Sequence, residues 1–203
     1  MLATRKPSVP ESVATAVIEL SPHPASGGGP AQRITASVRW QAGHPALVLQ
    51  YRLEGDIQRL VLPRPATPRR VDRLWEHTCF EAFARHPGER DYLELNFSPS
   101  GEWAAYRFDG RRDGGRDLPL PGPPATACTR TGNRIDLRVT LDPCPMHGDA
   151  LDLGLSAILE DREGALFYWA LRHPAGPPDF HDPESFTLRL QAAGQPQGEG
   201  SAR

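Results

Sequence analysis

The chain has 203 residues, 38% of them hydrophobic and 24% charged, which is the composition of an ordinary globular protein long enough to bury its own core. Its 23 basic and 25 acidic residues give a net charge of −2. This balance argues against a nucleic-acid partner, which usually requires a basic face. No apolar run reaches the ~18 residues of a membrane span, so no membrane partner is expected either.

Hydrophobic residues alternate with polar ones along most of the chain, with a period of two residues. This pattern is typical of strands that bury one face, and no long segment has a convincing helical period. Because no linker divides the strands, one domain is predicted at residues 11–191, between disordered tails at residues 1–10 and 192–203. The alternating sets are Ile34–Trp40, Leu47–Leu53, Leu93–Phe97, Ile135–Leu141, Leu151–Leu159 and Phe186–Leu190.

Turn-forming residues separate these strand patterns, as at Ser98–Gly101 and Thr131–Asn133. About ten short strands with frequent turns predict an all-β fold, an antiparallel immunoglobulin-like β-sandwich or jelly roll. Gly110–Pro124 falls outside the pattern, and a loop of this length in a compact domain is either functional or disordered. A solvated loop is the favoured interpretation of this segment.

The three cysteines, Cys79, Cys128 and Cys144, neither form a complete set of disulfides nor match the spacing of a zinc site. The start of the chain has no apolar segment of the length that a secretory signal needs. Together these features predict a cytoplasmic protein.

The densest group of chemically active side chains lies in Leu74–Phe83. If this segment is one extended strand, Trp75, His77 and Glu81 share a face. In one interpretation the first half projects beyond the sheet and Glu81 pairs with an arginine, because a buried charge needs a partner. In the other, Trp75, Glu76 and His77 line a ligand groove.

A second group lies on the next two predicted strands. Glu94 and Asn96 share a face of one strand, and Trp103 and Arg107 share a face of the other. Sugar-binding surfaces combine such residues, because an aromatic ring covers the C–H face of the sugar while polar groups bind its hydroxyls. The alternative is an ordinary hairpin with cross-strand Arg–Glu pairs.

A third group surrounds a proline-rich connection and contains Trp169, His173, Asp179 and His181. Together with His77, these histidines could supply ligands to a divalent metal. A metal-dependent enzyme that acts on a small polar metabolite through His77, His173 and His181 is therefore the second functional hypothesis. The alternative role for Asp179 is to cap the backbone of the loop.

The sequence contains no motif for nucleophilic or phosphate chemistry. A carboxylate pair drawn from Glu76, Glu81 and Glu94 could hydrolyse a glycosidic bond only at a suitable separation, which a sequence does not give. No catalytic residue is assigned, and no cofactor is expected.

Three segments resemble the bacterial DOMON-like proteins, which are related to family 9 carbohydrate-binding modules and to haem- or sugar-binding DOMON domains. The segments are Leu74–Phe83, Tyr92–Gly110 and His173–Phe186, within a resemblance that spans Val13–Gln191. The spacing of Trp75 and Glu81 resembles that of the wider superfamily more loosely. The resemblance implies an immunoglobulin-like β-sandwich that holds a small ligand and has no known catalytic apparatus.

The chain departs from these relatives in two ways. Family 9 modules clamp a sugar between two tryptophans, and here only Trp75, with Trp103 or Trp169, could serve. Haem-binding relatives use an axial methionine, whereas Met146 follows a proline-bound connection, so no haem is expected.

The first hypothesis is therefore a non-catalytic module that binds a carbohydrate or sugar derivative. A sandwich that pairs with a protein partner through an exposed strand edge is a third hypothesis. The candidate ligand-binding residues are Trp75, Glu76, His77, Glu81, Asn96, Trp103, Arg107, Trp169, His173, Asp179 and His181.

Overall fold

The computed structural model describes residues 17–41, 44–148 and 150–191, so the two predicted tails lie outside the described residues. This part of the chain forms twelve strands, joined by loops and short 3₁₀ helices at Ile57–Arg59, Leu74–Glu76 and Pro183–Ser185. The strands are β1 (Ile18–Pro22), β2 (Ala31–Gln41), β3 (His44–Gly55), β4 (Cys79–Arg85), β5 (Tyr92–Phe97), β6 (Trp103–Phe108), β7 (Arg116–Asp117), β8 (Ala125–Thr131), β9 (Arg134–Leu141), β10 (Ala150–Glu160), β11 (Leu166–Ala170) and β12 (Leu188–Gln191).

All strand pairs are antiparallel, in the order β7-β6-β5-β4-β10-β11-β1-β2-β3-β9-β8, with β12 beside β10. β1 pairs with β2 through its first residues and with β11 through its last two, Ser21 and Pro22. It therefore joins a first layer (β2, β3, β9 and β8) to a second layer (β7, β6, β5, β4, β10, β11 and β12).

The inward faces of the two layers pack against each other. The rings of Tyr51 in the first layer and Phe80 in the second have centroids 5.2 Å apart. The alternating pattern explains this core, because every second residue of a strand points to the same side of the sheet. Members of the core include Ile34, Val38, Leu49 and Leu53 from the first layer and Phe80, Leu95, Leu153 and Leu155 from the second.

The outer face of the second layer is covered as well. Residues 171–187, called the cover segment here, pack Phe180 and Phe186 onto this face beside Phe83. Gly154 of β10 permits the close approach, since a Cβ at this position would lie only 3.2 Å from the carbonyl oxygen of Ser185. The second layer therefore lies between the main core and a smaller apolar cluster.

The prediction of an antiparallel all-β fold is confirmed, although the described residues form twelve strands rather than about ten. β1 and β7, with five and two residues, are too short to show an alternating hydrophobic set. The immunoglobulin-like or jelly-roll character of the layers stays a prediction. In the described part of the chain, no helix has the length and apolar character needed to cross a membrane.

One predicted strand segment is wrong. Leu74–Glu76 is a 3₁₀ turn, preceded by Arg73 at φ 64°, and β4 begins only at Cys79. The hydroxyl of Thr78 holds the residue just before β4 in place, because it donates a hydrogen bond to Val61 O at 2.7 Å and accepts one from Glu160 N at 3.1 Å. Trp75 and His77 therefore do not share the β4 face that carries Glu81.

Candidate ligand-binding pocket

A cavity of about 550 Å³ lies between the outer face of the second layer and the cover segment. Strands β4 and β5 provide its two buried carboxyl groups, because their alternation sends Phe80 and Leu95 into the core and Glu81 and Glu94 outward. The residues that line the cavity are Trp75, Glu76, Glu81, Phe83, Glu94, Phe108, Arg112, Ile158, Leu166, Tyr168, Pro178, Phe180 and His181.

Two glutamates of the pocket are buried, with exposed fractions of 2% for Glu81 and 4% for Glu94. They lie on neighbouring strands, where Glu81 is paired with Asn96 and Glu94 with Phe83. Glu81 accepts a hydrogen bond from Ser156 Oγ at 3.0 Å, and Glu94 accepts one from Asn96 Nδ2 at 2.7 Å.

Burial and proximity change the acidity of both groups. Burial and the charge of Glu94 raise the pKa of Glu81 to about 8, against the opposing effects of the Ser156 hydrogen bond and the Arg112 charge. Burial also raises the pKa of Glu94, although the Asn96 hydrogen bond and Arg112 act to lower it. Glu81 therefore holds a proton at neutral pH and can donate a hydrogen bond as well as accept one.

His181 reaches the pocket from the cover segment and packs edge-on against Phe83 and Phe108, with centroid separations of 5.2 and 5.1 Å. Its Nδ1 lies 2.7 Å from the hydroxyl of Tyr92, which itself accepts a hydrogen bond from the Arg112 amide at 3.2 Å. This arrangement lets Tyr92 donate to Nδ1 and leaves the hydrogen of the neutral ring on Nε2, 3.6 Å from Glu94 Oε2. Burial and the charge of Arg112 lower the pKa of His181 to about 4, so the ring is neutral at neutral pH.

Asp179 holds two loops together behind the pocket. It pairs with Arg111 at 2.7 Å and with Arg112 at 3.0 Å, and it accepts from the amide of His181 at 3.1 Å. Burial acts to raise the pKa of Asp179, but the hydrogen bond from Arg111 and the charge of Arg112 outweigh it and lower the pKa. Part of the Gly110–Pro124 segment, interpreted above as a solvated loop, thus contributes Arg112 to the pocket.

The 3₁₀ turn supplies one side of the pocket. The ring of Trp75 lies edge-on to Tyr106, with centroids 5.9 Å apart. Glu76 accepts a hydrogen bond from Arg73 Nε at 2.8 Å, which leaves this carboxylate with its own positive partner. Trp75 is only partly buried, so one surface of its ring remains available to a ligand.

Four of the predicted site residues line the cavity, namely Trp75, Glu76, Glu81 and His181. Two others support it from behind, because Asn96 binds Glu94 and Asp179 binds Arg112. The sugar-binding combination expected on β5 and β6 is therefore only partly formed.

Three of the predicted residues lie elsewhere, because their strand positions point them away from the pocket. Trp103 and Trp169 face the main core, with exposed fractions of 8% and 3%. Arg107 pairs with Asp91 at 2.6 Å. The prediction of a second pocket tryptophan beside Trp75 is wrong.

The three histidines of the metal hypothesis are bound to different parts of the molecule. His77 Nδ1 lies 2.8 Å from Glu160 Oε2, and His173 Nε2 lies 2.8 Å from Ser21 O. His181 contacts Tyr92 instead. Within the described residues, no group of three or more His, Cys, Asp or Glu side chains is arranged to hold a metal ion, and the predicted histidine cluster is not formed.

Several pocket residues are not among the candidate ligand-binding residues, namely Phe83, Phe108, Arg112, Tyr168 and Phe180. Glu94 was named in the second predicted group but was not among those candidates. A signal existed for Phe83 and Glu94, because alternation places Phe83 on the face of Glu81 and Glu94 on the face of Asn96. The others come from loops or later strands, where no local pattern marks them.

No family model matches the chain, and no curated protein matches its sequence. Among solved structures, a "putative carbohydrate-binding protein" from Bacteroides uniformis ATCC 8492 is similar, with a TM-score of 0.56 and 14% identity over 86% of each chain. A family 9 carbohydrate-binding module from Caldicellulosiruptor kristjanssonii in complex with cellotriose gives a TM-score of 0.45 and 11% identity over 84% of this chain and 80% of that chain. The structure with glucose gives 0.44 and 11%, over 83% and 81%. The likeness to the Bacteroides protein shows a shared fold.

Proposed function

We propose that this chain is a non-catalytic module that binds a carbohydrate or sugar derivative in the pocket beneath the cover segment. One observation carries the proposal: a cavity of about 550 Å³ combines aromatic walls with convergent polar side chains. This volume lies within the range of small-molecule sites, which run from roughly 300 to 1,000 Å³. Kinship with DOMON-like proteins and family 9 modules, as the sequence segments suggest, agrees with such a role.

The lining provides both kinds of contact that a sugar needs. The rings of Trp75, Tyr168 and Phe180 offer apolar surface to the C–H groups of a sugar ring. Glu94 accepts hydrogen bonds from hydroxyl groups, and Glu81, which holds a proton at neutral pH, donates one.

The lining contains no Ser, Thr, Cys or Lys among the described residues, so it offers no aliphatic hydroxyl, thiol or amine nucleophile. Its reactive groups are carboxyl groups, the hydroxyl of Tyr168 and the ring of His181. The thiol of Cys79 lies nearby but is fully buried, and burial raises its pKa well above the usual value, which keeps it in the unreactive form.

Tryptophan fluorescence gives a direct test, because Trp75 alone of the four tryptophans lines the pocket. The purified protein is titrated with glucose, galactose, mannose, xylose and cellobiose, in parallel with calorimetry. At least one of these sugars is expected to change the emission in a saturable manner. Trp75→Ala is expected to abolish both the emission change and the calorimetric heat.

The matched control is Trp169→Phe, which alters a core tryptophan that donates a hydrogen bond to Gly28 O at 3.3 Å. It is expected to reduce stability while the sugar response persists. The proposal is overturned if no sugar binds, or if Trp75→Ala binds sugar as well as the original protein does.

A further inference from the structure

The pocket contains two buried acids but no positive charge that is paired with either of them among the described residues. Glu81 and Glu94 face the cavity, yet within the described residues no arginine forms an ion pair with either of them. Arg112, which also lines the cavity, directs Nη2 to Asp179 at 3.0 Å. The positive charge nearest to the two glutamates is therefore already shared with another carboxylate.

The remaining titratable groups around the glutamates do not supply the missing positive charge. His181 faces Glu94 from the cover segment but is neutral, because burial and Arg112 lower its pKa to about 4. Asp179 adds negative charge from the same segment. Three more titratable groups lie on β4, β5 and β6, namely Cys79, Tyr92 and Tyr106. Burial raises the pKa of each of them, so all three are neutral at neutral pH.

The walls beside the glutamates suit a cation. Aromatic faces attract ammonium groups through the negative charge density of their π-systems, most strongly where water is excluded. Here Trp75, Phe83 and Phe108 line the same cavity as two buried carboxyl groups.

We infer that the ligand of this pocket carries an amine, and that an aminated sugar binds with its ammonium group between Glu81 and Glu94. The inference rests on the proposed function and narrows its ligand class. It gives the two buried acids a positively charged partner, which a neutral sugar does not supply.

The inference predicts that Glu81 loses its proton when the ligand binds. Glu81, with a pKa of about 8, is protonated in the free protein at about pH 6.5. When the ammonium group enters, the O–H bond of Glu81 breaks, its proton passes to the buffer, and the carboxylate left behind pairs with the cation. Binding is expected to release close to one proton per ligand.

Calorimetry with matched ligands tests the inference. Glucosamine, glucose and N-acetylglucosamine are titrated at about pH 6.5, where a free amine is mostly cationic. Glucosamine is expected to bind at least ~10-fold more tightly than N-acetylglucosamine, which has the same skeleton without the charge. Its heat is expected to differ between phosphate and ACES buffers, which both buffer at this pH, by the amount that corresponds to one released proton.

Glu81→Gln and Glu94→Gln are expected to remove the preference for glucosamine and the proton release while the fold persists. Glu184→Gln is the control, because this glutamate is exposed and pairs with Arg172 at 3.0 Å, outside the pocket. It is expected to keep the preference.

The outcomes separate this inference from the proposed function. If glucose and N-acetylglucosamine bind as tightly as glucosamine, the amine inference is overturned and the carbohydrate proposal stands. If glucosamine binds more tightly but Glu81→Gln and Glu94→Gln keep that preference, the assigned position of the ammonium group is wrong. If no sugar binds, with or without an amine, both proposals fail.

Discussion

The buried hydroxyl of Tyr51 donates a hydrogen bond to the main-chain oxygen of Glu81 at 2.7 Å. Tyr51 belongs to the first layer, and Glu81 belongs to the strand of the second layer that faces the pocket. A residue of the main core therefore holds the backbone of Glu81 in place, and the carboxyl group of Glu81 lines the cavity on the other side of the sheet. Stability of the core and geometry of the pocket are coupled through this contact.

Tyr51→Phe is expected to lower the free energy of unfolding by about 1–2 kcal/mol, because it removes a buried hydrogen bond while the ring keeps its packing on Phe80. Urea denaturation measures this change. The control is Tyr106→Phe, whose hydroxyl donates to Asp72 at 2.7 Å near the surface, where water replaces the lost partner. An unchanged free energy of unfolding in Tyr51→Phe would show that the bond to Glu81 adds nothing to stability, and equal losses in the two variants would show that its burial adds nothing.

The contribution of Glu81 to stability is expected to fall as the pH rises from about 4.5 to 8, and the stability of the protein is expected to fall above about pH 6.5, where His181 no longer opposes this loss. The pKa of Glu81 is about 8 in the folded protein and near 4.5 in the unfolded chain, so the folded state binds more protons throughout this interval. The expected contribution of this group is a loss of roughly 1 kcal/mol per pH unit. Urea denaturation at a series of pH values measures the slope.

Comparison with Glu81→Gln isolates this contribution, because an amide has no proton to lose. The variant is expected to have a flatter profile and to gain stability relative to the original protein above about pH 7. His181 acts in the opposite direction below pH 6.5, since its pKa of about 4 in the folded state favours unfolding as the unfolded imidazole takes up a proton. Parallel profiles for protein and variant would contradict the raised pKa of Glu81.

Two glycines in the turn between β1 and β2 provide a matched pair of substitutions. Both have positive φ, +66° at Gly27 and +59° at Gly29. A Cβ at Gly29 would lie 2.4 Å from Phe167 Cγ, whereas a Cβ at Gly27 meets no atom within 4 Å. Gly27→Ala is expected to cost about 1 kcal/mol for its backbone conformation, and Gly29→Ala about 1–3 kcal/mol more for the overlap.

Thermal unfolding of the two alanine variants measures the difference. A larger loss in Gly27→Ala than in Gly29→Ala would contradict the close packing of the turn on Phe167.

The period of two residues predicted most of the sheet, because strands that face a core on one side must alternate. It placed Phe80 and Glu81 on opposite faces. It failed at Trp75 and His77, where a 3₁₀ turn precedes the strand. A turn of three residues is stabilised by contacts such as that between Thr78 and Val61, which are far apart in the sequence. Such contacts produce no periodic pattern of hydrophobic residues.

The pocket was predicted less completely than the fold, for two physical reasons. The composition of a strand does not show which of its two faces lines a cavity. Trp103 and Trp169 were therefore expected in the pocket, although both face the main core. Arg112 and His181 meet only because two loops are folded onto Tyr92, and such contacts follow from tertiary structure.

Asp179→Asn tests the contact that holds the two loops together. The substitution removes the charge shared by Arg111 and Arg112, so residues 110–113 are expected to open more often from the cover segment. Trypsin cleaves after arginine and reports this opening directly. Cleavage after Arg111 or Arg112, located by mass spectrometry, is expected to become roughly 10-fold faster, which corresponds to ~1.4 kcal/mol of lost local stability.

Sugar affinity is expected to fall in the same variant, because Arg112 lines the pocket and loses its fixed position. Glu184→Gln serves as the control, since it removes an exposed ion pair with Arg172 from the same cover segment and leaves Asp179 intact. Unchanged cleavage after Arg111 in Asp179→Asn would show that the ion pair of Arg111 with Asp182 at 2.8 Å and the hydrogen bond from the Arg112 amide to Tyr92 are enough to hold the loop. Equal acceleration in both variants would assign the effect to the cover segment as a whole.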